Sequence, residues 1–265
     1  MTNLTSLINM RAPDIRDLNE QGFGVINAYL DESIVRSLTT HIEAFADDSQ
    51  VAPSTRVKRG IVFARRNLLS QDWVQTFIGS EQVRRLIDGF DSELIAVRAI
   101  LFDKTGDANW TVPWHQDRSI AVRQRIDVDG FGPWSKKAGV VHVQPPVEIL
   151  RSMITLRFGI DECDADNGPL RVIPGTHAAI LDQQAVERAV AAGKQVLCTT
   201  APGGVVVMRP LLLHASSPAM RMAHRRVLHI EFGPAGLPGG LQWARVYPGK
   251  FSFTTKTRRA RRKQG

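Results

Sequence analysis

The chain from about residue 93 onward consists of short apolar runs separated by clusters of Gly, Pro, Asp and Asn. The runs are ELIAVRAILF, RSMITLRFGI, GPLRVIPG, GGVVVMRPLLLH and RRVLHIEF. Repeated runs of strand length, each bounded by turn residues, are typical of a β-sandwich or a β-barrel. The sequence therefore predicts that most of the chain is a β structure with many short strands.

The N-terminal third has a different pattern. Residues 13–20 predict a short helix, and the run GFGVINAYL at 22–30 predicts a strand. Asp31 is expected to cap a longer helix, and another helix is predicted between Trp73 and Phe90. The apolar residues of the helix after Asp31 recur at helical spacing and form one stripe: Ile34, Leu38, Ile42 and Phe45. A helical third before a β-rich remainder predicts an α+β, mainly β fold in which helices cover one sheet face.

The composition is that of a folded globular protein, because 43% of the residues are hydrophobic and 23% are charged. No run of about 18 apolar residues is present, so a membrane span is not expected. The first 16 residues lack the pattern of a secretion signal, which predicts a cytoplasmic protein. Cys163 and Cys198 have no zinc-type spacing and are predicted to be buried free thiols in a reducing compartment.

The net charge of +8 belongs almost entirely to one end of the chain. Residues 250–265 contain seven Lys and Arg and no acidic residue, so the rest of the chain is nearly neutral. This distribution predicts a single domain over residues 1–250 and a solvated basic tail over residues 251–265. Nucleic acid is therefore not expected as a partner, although a nucleic-acid-binding β domain stays open as an alternative.

A candidate metal site begins at Trp114-His115-Gln116-Asp117. In a strand, residues i and i+2 point to the same face, so His115 and Asp117 would offer a nitrogen and an oxygen to one point. The best candidate for a third ligand is His214, which ends the apolar run 205–213. Two histidines and one carboxylate on one face of a metal leave positions open opposite, as in non-haem Fe(II) oxygenases.

The open positions suit a 2-oxo acid and dioxygen, and the distal carboxylate of such a co-substrate needs a buried cation. Arg225 follows His214 by eleven residues at the start of the run RRVLHIEF, and a guanidinium binds a carboxylate in a bidentate manner. Ser216 is placed to add a hydroxyl to the same carboxylate. The alternatives are that a lone HxD arises by chance and that Arg225 is a surface residue like Arg226.

The remaining histidines are weaker candidates. His177 follows the turn Pro174-Gly175 and is interpreted as structural. His142, His224 and His229 have no partner at strand spacing, although His229 shares strand parity with Arg225.

These motifs together resemble the phytanoyl-CoA dioxygenase family of 2-oxoglutarate oxygenases. The matching stretches are GFGVINAYLDES, WHQD at 114–117, DNGPLRVIPGTH at 166–177 and the spacing from His214 to Arg225. The resemblance implies a double-stranded β-helix (a cupin-like jelly roll) over about residues 93–235, with helices packed on its outer sheet. It also implies Fe(II) bound by His115, Asp117 and His214, and 2-oxoglutarate bound by Arg225, with Arg98 as a second candidate for the co-substrate.

The resemblance implies a dioxygenase that releases succinate and carbon dioxide. Because Asp117 occupies the position where related halogenases have a small residue, hydroxylation of a small-molecule metabolite is favoured. A cupin-like metalloenzyme that does not use oxoglutarate is the main alternative. The substrate and the oligomeric state are left open.

The long segment from Arg118 to Glu148 contains several Gly and Pro residues and is predicted to be a lid or binding segment. Three arginines follow Asp117 closely: Arg118, Arg123 and Arg125. We expect their positive field to favour an anionic substrate, whose apolar part Trp134 would cover.

Overall fold

The computed structural model describes residues 15–46, 55–58, 61–88, 90, 93–105, 109–220 and 223–247, and the predicted basic tail lies outside them. The helices are α1 (Ile15–Glu20), α2 (Glu32–Ala46), α3 (Asp72–Ile78), α4 (Glu81–Ile87), α5 (Val147–Ser152) and α6 (Gln183–Ala192). The first seven strands are β1 (Phe23–Ile26), β2 (Thr55–Lys58), β3 (Ile61–Arg65), β4 (Leu94–Lys104), β5 (Val112–His115), β6 (Ile120–Val122) and β7 (Trp134–Lys137). The others are β8 (Val140–Val143), β9 (Ile154–Gly159), β10 (Leu170–Ile173), β11 (Val196–Cys198), β12 (Val205–Met208), β13 (Leu213–Ser216) and β14 (Arg225–Pro234).

The strands form antiparallel sheets in which the chain crosses repeatedly between two layers. The major sheet has the order β1-β12-β9-β14-β4-β3-β2, and the minor sheet has the order β11-β10-β13-β5. From β9 onward the chain alternates between them, with β9, β12 and β14 in the major sheet and β10, β11 and β13 in the minor sheet. This alternation is the double-stranded β-helix, and the predicted mainly β jelly roll is confirmed.

The two faces of the major sheet are chemically different because side chains alternate along each strand. On β14, Leu228, Ile230 and Phe232 are fully buried and belong to the cluster that packs against helices α2, α3 and α4. The residues of opposite parity, among them Arg225 and His229, face the space between the two sheets. The helices therefore cover one face, as predicted, and the other face supplies polar side chains to an interior cavity.

Two predicted elements differ from the observed ones. The helix predicted between Trp73 and Phe90 is divided into α3 and α4, and the Ser80 hydroxyl between them accepts a hydrogen bond from the Val83 amide (3.4 Å). A serine in that position ends one helix and caps the next. The strand predicted at 22–30 ends at Ile26, after which the Tyr29 and Leu30 amides both donate to the Gly203 carbonyl.

The segment after the candidate ligand Asp117 is more ordered than the predicted lid. It contains β6, β7 and β8, which form a third sheet in the order β6-β8-β7. Ile120, Val122 and Val143 of this sheet are buried together with Trp243. The expectation of an irregular loop was wrong because these short β-branched stretches bury their own apolar cluster. No helix in the described ranges is long and apolar enough to span a membrane.

Candidate metal centre

The candidate metal centre lies at the end of the minor sheet, where β5 and β13 bring two histidines together. His115 and His214 are directly opposite each other in the antiparallel register. Asp117 follows the end of β5, and its amide donates to the Pro210 carbonyl (2.9 Å). One ligand atom from each of the three residues lies within 4.8 Å of the others. The in-strand geometry predicted for HxD thus holds for His115 only, whereas a backbone contact outside the strand positions Asp117.

The hydrogen bonds of the two imidazoles determine which nitrogen faces the site. His115 Nδ1 lies 2.8 Å from the Pro113 carbonyl, and His214 Nδ1 lies 2.8 Å from the Leu212 carbonyl. A carbonyl only accepts, so each Nδ1 carries the proton and donates. In the neutral form of each ring, the proton is then on Nδ1 and Nε2 is the nitrogen with the lone pair; the two Nε2 atoms lie 3.8 and 3.7 Å from the Asp117 carboxylate oxygens. This is the tautomer that a metal-binding histidine requires.

The electrostatics favour the same protonation states. Burial lowers the pKa of His214, so the imidazole is neutral at pH 7. Burial alone would raise the pKa of Asp117, but the net effect of the neighbouring groups is to lower it, so the carboxylate is ionised. Neutral imidazole and ionised carboxylate are the forms that coordinate a divalent cation. In the described residues, this is the one group of three such side chains with converging ligand atoms.

Gln116 points away from the site and holds the ligand segment in place. Its Nε2 donates to the carbonyls of Leu211 (2.6 Å) and Ala179 (2.9 Å), and its Oε1 accepts from the Leu181 amide (2.8 Å). Gln116 is buried, so these bonds satisfy groups that would be costly to leave unpaired. The residue between the two candidate ligands thus connects their segment to the loop before His214.

The motif DNGPLRVIPGTH supports the strand that carries His214. Leu170–Ile173 form β10, which pairs with β13 so that Val172 lies opposite His214. A side chain at Gly168 would come within 2.6 Å of the Ser217 carbonyl, and Gly168 has φ +61°. Thr176 then accepts a hydrogen bond from the Leu213 amide (2.9 Å). The motif therefore contributes close packing on both sides of the candidate ligand.

A cavity of about 390 Å³ extends from the three candidate ligands into the barrel. Arg225 and Ser216 line it, as the sequence predicted. Only 3% of Arg225 is exposed, and its Nε has no hydrogen-bond partner among the described residues. A buried guanidinium nitrogen without an acceptor fits a site that is completed by an anion.

Lys104 is a buried basic residue behind Ser216 that the sequence motifs did not indicate. Lys104 on β4 lies directly opposite Arg225 on β14 in the antiparallel register. The Lys104 Nζ donates to Ser216 Oγ (3.1 Å) and to the Ser217 carbonyl (2.6 Å). Burial, with Arg225 and Arg157 nearby, lowers the pKa of Lys104 to about 7. The signal was strand parity, since Lys104 lies on the same side of β4 as the predicted candidate Arg98.

The comparison with family models decides the relationship of the chain. The model for phytanoyl-CoA dioxygenase (PhyH) matches residues 18–227. The chain belongs to the PhyH family. This confirms the family resemblance seen in the sequence motifs, and the match spans both the helical part and the jelly roll.

Solved structures with the same fold resemble this PhyH-family chain at low sequence identity. AviO1 from Streptomyces viridochromogenes Tue57 is 24% identical, with a TM-score of 0.63 over 84% of this chain and 95% of that one. EctD from S. alaskensis, solved with 2-oxoglutarate and 5-hydroxyectoine, is 17% identical, with a TM-score of 0.65 over 85% and 78%. SnoK, a non-heme alpha ketoglutarate dependent carbocyclase from nogalamycin biosynthesis, is 13% identical, with a TM-score of 0.62 over 86% and 85%. Curated protein sequences gave no match.

A hydrogen-bonded row of four polar side chains lines the cavity of this PhyH-family chain. Arg98 Nη1 donates to Glu231 Oε1 (3.0 Å), which is 3.2 Å from His229 Nε2. His229 Nδ1 is in turn 2.8 Å from Arg157 Nη1. Arg98 was predicted to lie near the co-substrate, and it does line the cavity, but it is paired with Glu231. The other three residues were missed as site residues, although each interrupts an apolar strand run.

The residues predicted to form an anion-selecting lid lie elsewhere. Trp134 is in β7, packs against the cluster around Val143, and is outside the residues that line the described cavity. Arg125 lies over the Trp134 ring and pairs with Asp127 (2.9 Å), while Arg123 donates to Gln242. Arg118 is likewise absent from the described cavity lining. These four side chains thus lie outside the lining of the described cavity.

The other histidines and the cysteines are placed away from the ligand set. His177 lies 3.2 Å from the Asn19 carbonyl, in keeping with a structural role, and His224 lies against Asp103. His142 is buried in β8. Both cysteines are buried free thiols, as predicted.

Proposed function

We propose that this chain is an Fe(II)- and 2-oxoglutarate-dependent dioxygenase that hydroxylates a small-molecule metabolite and releases succinate and carbon dioxide. In this proposal His115, Asp117 and His214 bind the metal, and Arg225 with Ser216 binds the distal carboxylate of the co-substrate. The observation that carries it is the joint occurrence, in one cavity, of three converging metal-binding side chains and a buried arginine without an acceptor at Nε.

The donor set supports an open catalytic metal site of the kind that holds Fe(II) in oxygenases. Two imidazole nitrogens and one carboxylate, all from one side, leave the remaining octahedral positions open for a chelating ligand and dioxygen. A structural zinc site would instead be closed by a fourth protein ligand, which the described residues do not offer here. EctD, a structural neighbour, has been solved with iron and with 2-oxoglutarate.

The far end of the cavity supports a dicarboxylate. Arg225 and Ser216 line this end of the cavity, and the buried Lys104 donates to the Ser216 hydroxyl. A guanidinium and a hydroxyl at the end of a cavity away from the metal suit a carboxylate that has to be held in a fixed position. The protein's contribution is then to bind the co-substrate at both ends, to orient it and to limit access of water.

Bound iron would supply the oxidative chemistry, which no side chain can supply. The ionised Asp117 supports hydroxylation, because it occupies a coordination position with a protein ligand. The neighbour SnoK is a carbocyclase, so relatives with this fold direct the same cofactors to other outcomes. The mass of the product therefore decides between hydroxylation and another oxidative outcome.

The proposal also includes the boundaries and the surroundings of the enzyme. We assign residues 1–250 to one oxygenase domain followed by the basic tail. The two buried free thiols support a reducing, cytoplasmic compartment. An anionic primary substrate stays a prediction, although the three arginines after Asp117 lie outside the lining of the described cavity.

The test is an assay of the purified protein with Fe(II), 2-oxoglutarate, dioxygen and a panel of metabolites. We expect at least one metabolite to stimulate succinate release and to gain one oxygen atom by mass. His214→Ala should abolish both signals, while Arg188→Gln on the exposed face of α6 should change neither. Turnover that proceeds equally without 2-oxoglutarate would contradict the proposal and favour the cupin-like metalloenzyme. Salt-sensitive binding of nucleic acid without turnover would favour the remaining alternative.

A further inference from the structure

Arg157 is a cavity-lining arginine that the proposed function does not yet use. It lies on β9 opposite His229 in the register of the major sheet, and its side chain is partly buried. Leu156 and Phe158 on either side of it belong to the buried cluster beneath the helices. Strand parity therefore directs Arg157 to the cavity, among residues that include His214 and Arg225.

The partner of Arg157 is a neutral histidine. Arg157 Nη1 lies 2.8 Å from His229 Nδ1, and a guanidinium has only donors, so Nδ1 must be the acceptor. The proton of His229 is then on Nε2, which donates to Glu231 Oε1 (3.2 Å). A second proton on His229 would be on Nδ1, where its N–H would point at the N–H of Arg157 Nη1. Burial also lowers the pKa of His229, which agrees with the neutral form.

The positive charge of Arg157 is therefore not neutralised by its partner. The nearby carboxylate of Glu231 is 3.0 Å from Arg98 Nη1, so its charge is paired there. Within the described part of the chain, the ion pairs do not include Arg157, and its other contact is the Phe102 ring at 5.8 Å. Burial and the neighbouring Arg225 lower the pKa of Arg157 to about 10, so the side chain stays charged at pH 7. A cation that lines a cavity and has no ion pair is suited to bind an anionic ligand there.

The position of Arg157 indicates which anion this is. Arg157 lies opposite His229, which is four residues along β14 from Arg225, so the two arginines lie at different levels of the major sheet. Arg157 also shares the lining of the cavity with the candidate ligands Asp117 and His214. Since Arg225 and Ser216 already serve the far end, the group nearest to Arg157 is the end of the co-substrate that faces the metal.

We propose that Arg157 is a second arginine for the 2-oxo acid, binding its 1-carboxylate beside the metal, and that His229 and Glu231 position the guanidinium for this contact. This inference rests on the proposed function. It assigns the two anionic ends of one ligand to two different arginines, and it makes affinity for the 2-oxo acid sensitive to a residue distant in sequence from every predicted ligand.

The test compares two ligands that differ only at the distal end. 2-Oxoglutarate has both carboxylates, whereas 2-oxovalerate retains the 2-oxo acid and has a methyl group in place of the distal carboxylate. Binding is measured calorimetrically without oxygen on the Ni(II)-loaded protein, so that no turnover occurs. Arg157→Gln should weaken both ligands by a similar factor, about tenfold or more. Arg225→Gln should weaken 2-oxoglutarate and leave 2-oxovalerate nearly unchanged, and Arg188→Gln should affect neither.

Several outcomes would overturn the inference. Unchanged binding of both ligands to Arg157→Gln would do so, and so would a loss confined to 2-oxoglutarate, which would place Arg157 at the distal end. Arg157→Lys, which retains the charge, and melting curves of all variants separate these results from misfolding. If the wild-type protein binds Ni(II) but neither 2-oxo acid, the proposed function itself fails, and that result is distinct from a normal wild type with an unaffected Arg157→Gln.

The positioning role of His229 has its own readout. His229→Gln provides an amide oxygen that can accept the bond from Arg157, whereas His229→Leu provides no acceptor. We expect the glutamine variant to retain more affinity for 2-oxovalerate than the leucine variant. Equal losses in the two variants would contradict a role through the Arg157 hydrogen bond and would leave His229 with a packing role only.

Discussion

Lys104 offers a test in which stability and ligand binding should change in opposite directions. The residue is fully buried, and its Nζ donates to Ser216 Oγ and to the Ser217 carbonyl. Burial, with Arg225 and Arg157 nearby, lowers its pKa from the ordinary value of 10.5 to about 7. The folded state without ligand therefore disfavours the charged lysine, and removal of the charge should stabilise that state.

The sign and size of the effect follow from linkage. Below pH 7 the lysine is charged in both the folded and the unfolded chain, so the folded state bears the whole cost of the buried charge. Above pH 7 Lys104 loses its proton in the folded chain but keeps it in the unfolded chain, so the cost of the buried charge decreases. The cost is gone once the pH exceeds the ordinary lysine pKa of 10.5. A pKa lowered from 10.5 to about 7 corresponds to an upper limit of about 5 kcal/mol. Lys104→Met also loses two hydrogen bonds of a charged group, about 1.5 kcal/mol each, which leaves roughly 2 kcal/mol of net stabilisation at pH 6.

The assay is calorimetric melting of metal-free, ligand-free protein at pH 6 and pH 9. A gain of about 2 kcal/mol should raise the Tm of Lys104→Met by roughly 4–8 °C at pH 6, and the gain should shrink or reverse at pH 9. The same variant should bind 2-oxoglutarate more weakly, because the hydrogen bond to the Ser216 hydroxyl is lost. A Tm that is lowered equally at both pH values would refute the buried-charge reasoning.

Three further outcomes are expected. Arg225→Gln should weaken 2-oxoglutarate binding by about ten- to a hundredfold, whereas Arg226→Gln should leave this binding unchanged; calorimetry measures both affinities. Because Arg226 pairs with Asp161, Arg226→Gln should instead lower the free energy of unfolding by about 1–3 kcal/mol, which denaturant unfolding measures. Gln116→Leu should lower the free energy of unfolding of metal-free protein by about 2–3 kcal/mol and weaken metal binding, because three backbone groups lose their partner; unfolding like that of the wild type would contradict this. His115→Ala combined with His214→Ala should abolish Fe(II) binding, and normal iron content in that variant would reject the ligand assignment.

The HxD spacing, the histidine at the end of a distant apolar run and the family resemblance together indicated that His115, Asp117 and His214 lie close to one another, as they do. Strand parity explains His115 only, because Asp117 lies beyond the end of β5. Arg225 was predicted from its spacing after His214 and its place at the start of the last apolar run, and it lines the cavity. These features can be recognised within a single stretch of sequence, without knowledge of the register between paired strands.

The rest of the site depends on register between strands, which the sequence does not contain. Arg98, Arg157 and Glu231 each interrupt an apolar strand, which indicates that they face a polar space, but their pairing arises from β4, β14 and β9 lying side by side. Trp134 was misplaced for a related reason. Its Gly/Pro-rich surroundings suggested a mobile lid, whereas the segment pairs with β8 and buries its apolar residues.

The most direct test of the central claim is an anaerobic titration of the Fe(II)-loaded protein with 2-oxoglutarate, followed by visible absorption. Chelation of Fe(II) by a 2-oxo acid gives a charge-transfer band that neither component shows alone. We expect the band to appear and to saturate at one 2-oxoglutarate per chain, to require a higher concentration in Arg225→Gln, and to be absent in the variant that combines His115→Ala with His214→Ala. A wild-type protein that binds Fe(II) without developing the band, or a band that persists after both histidines are removed, would contradict the account.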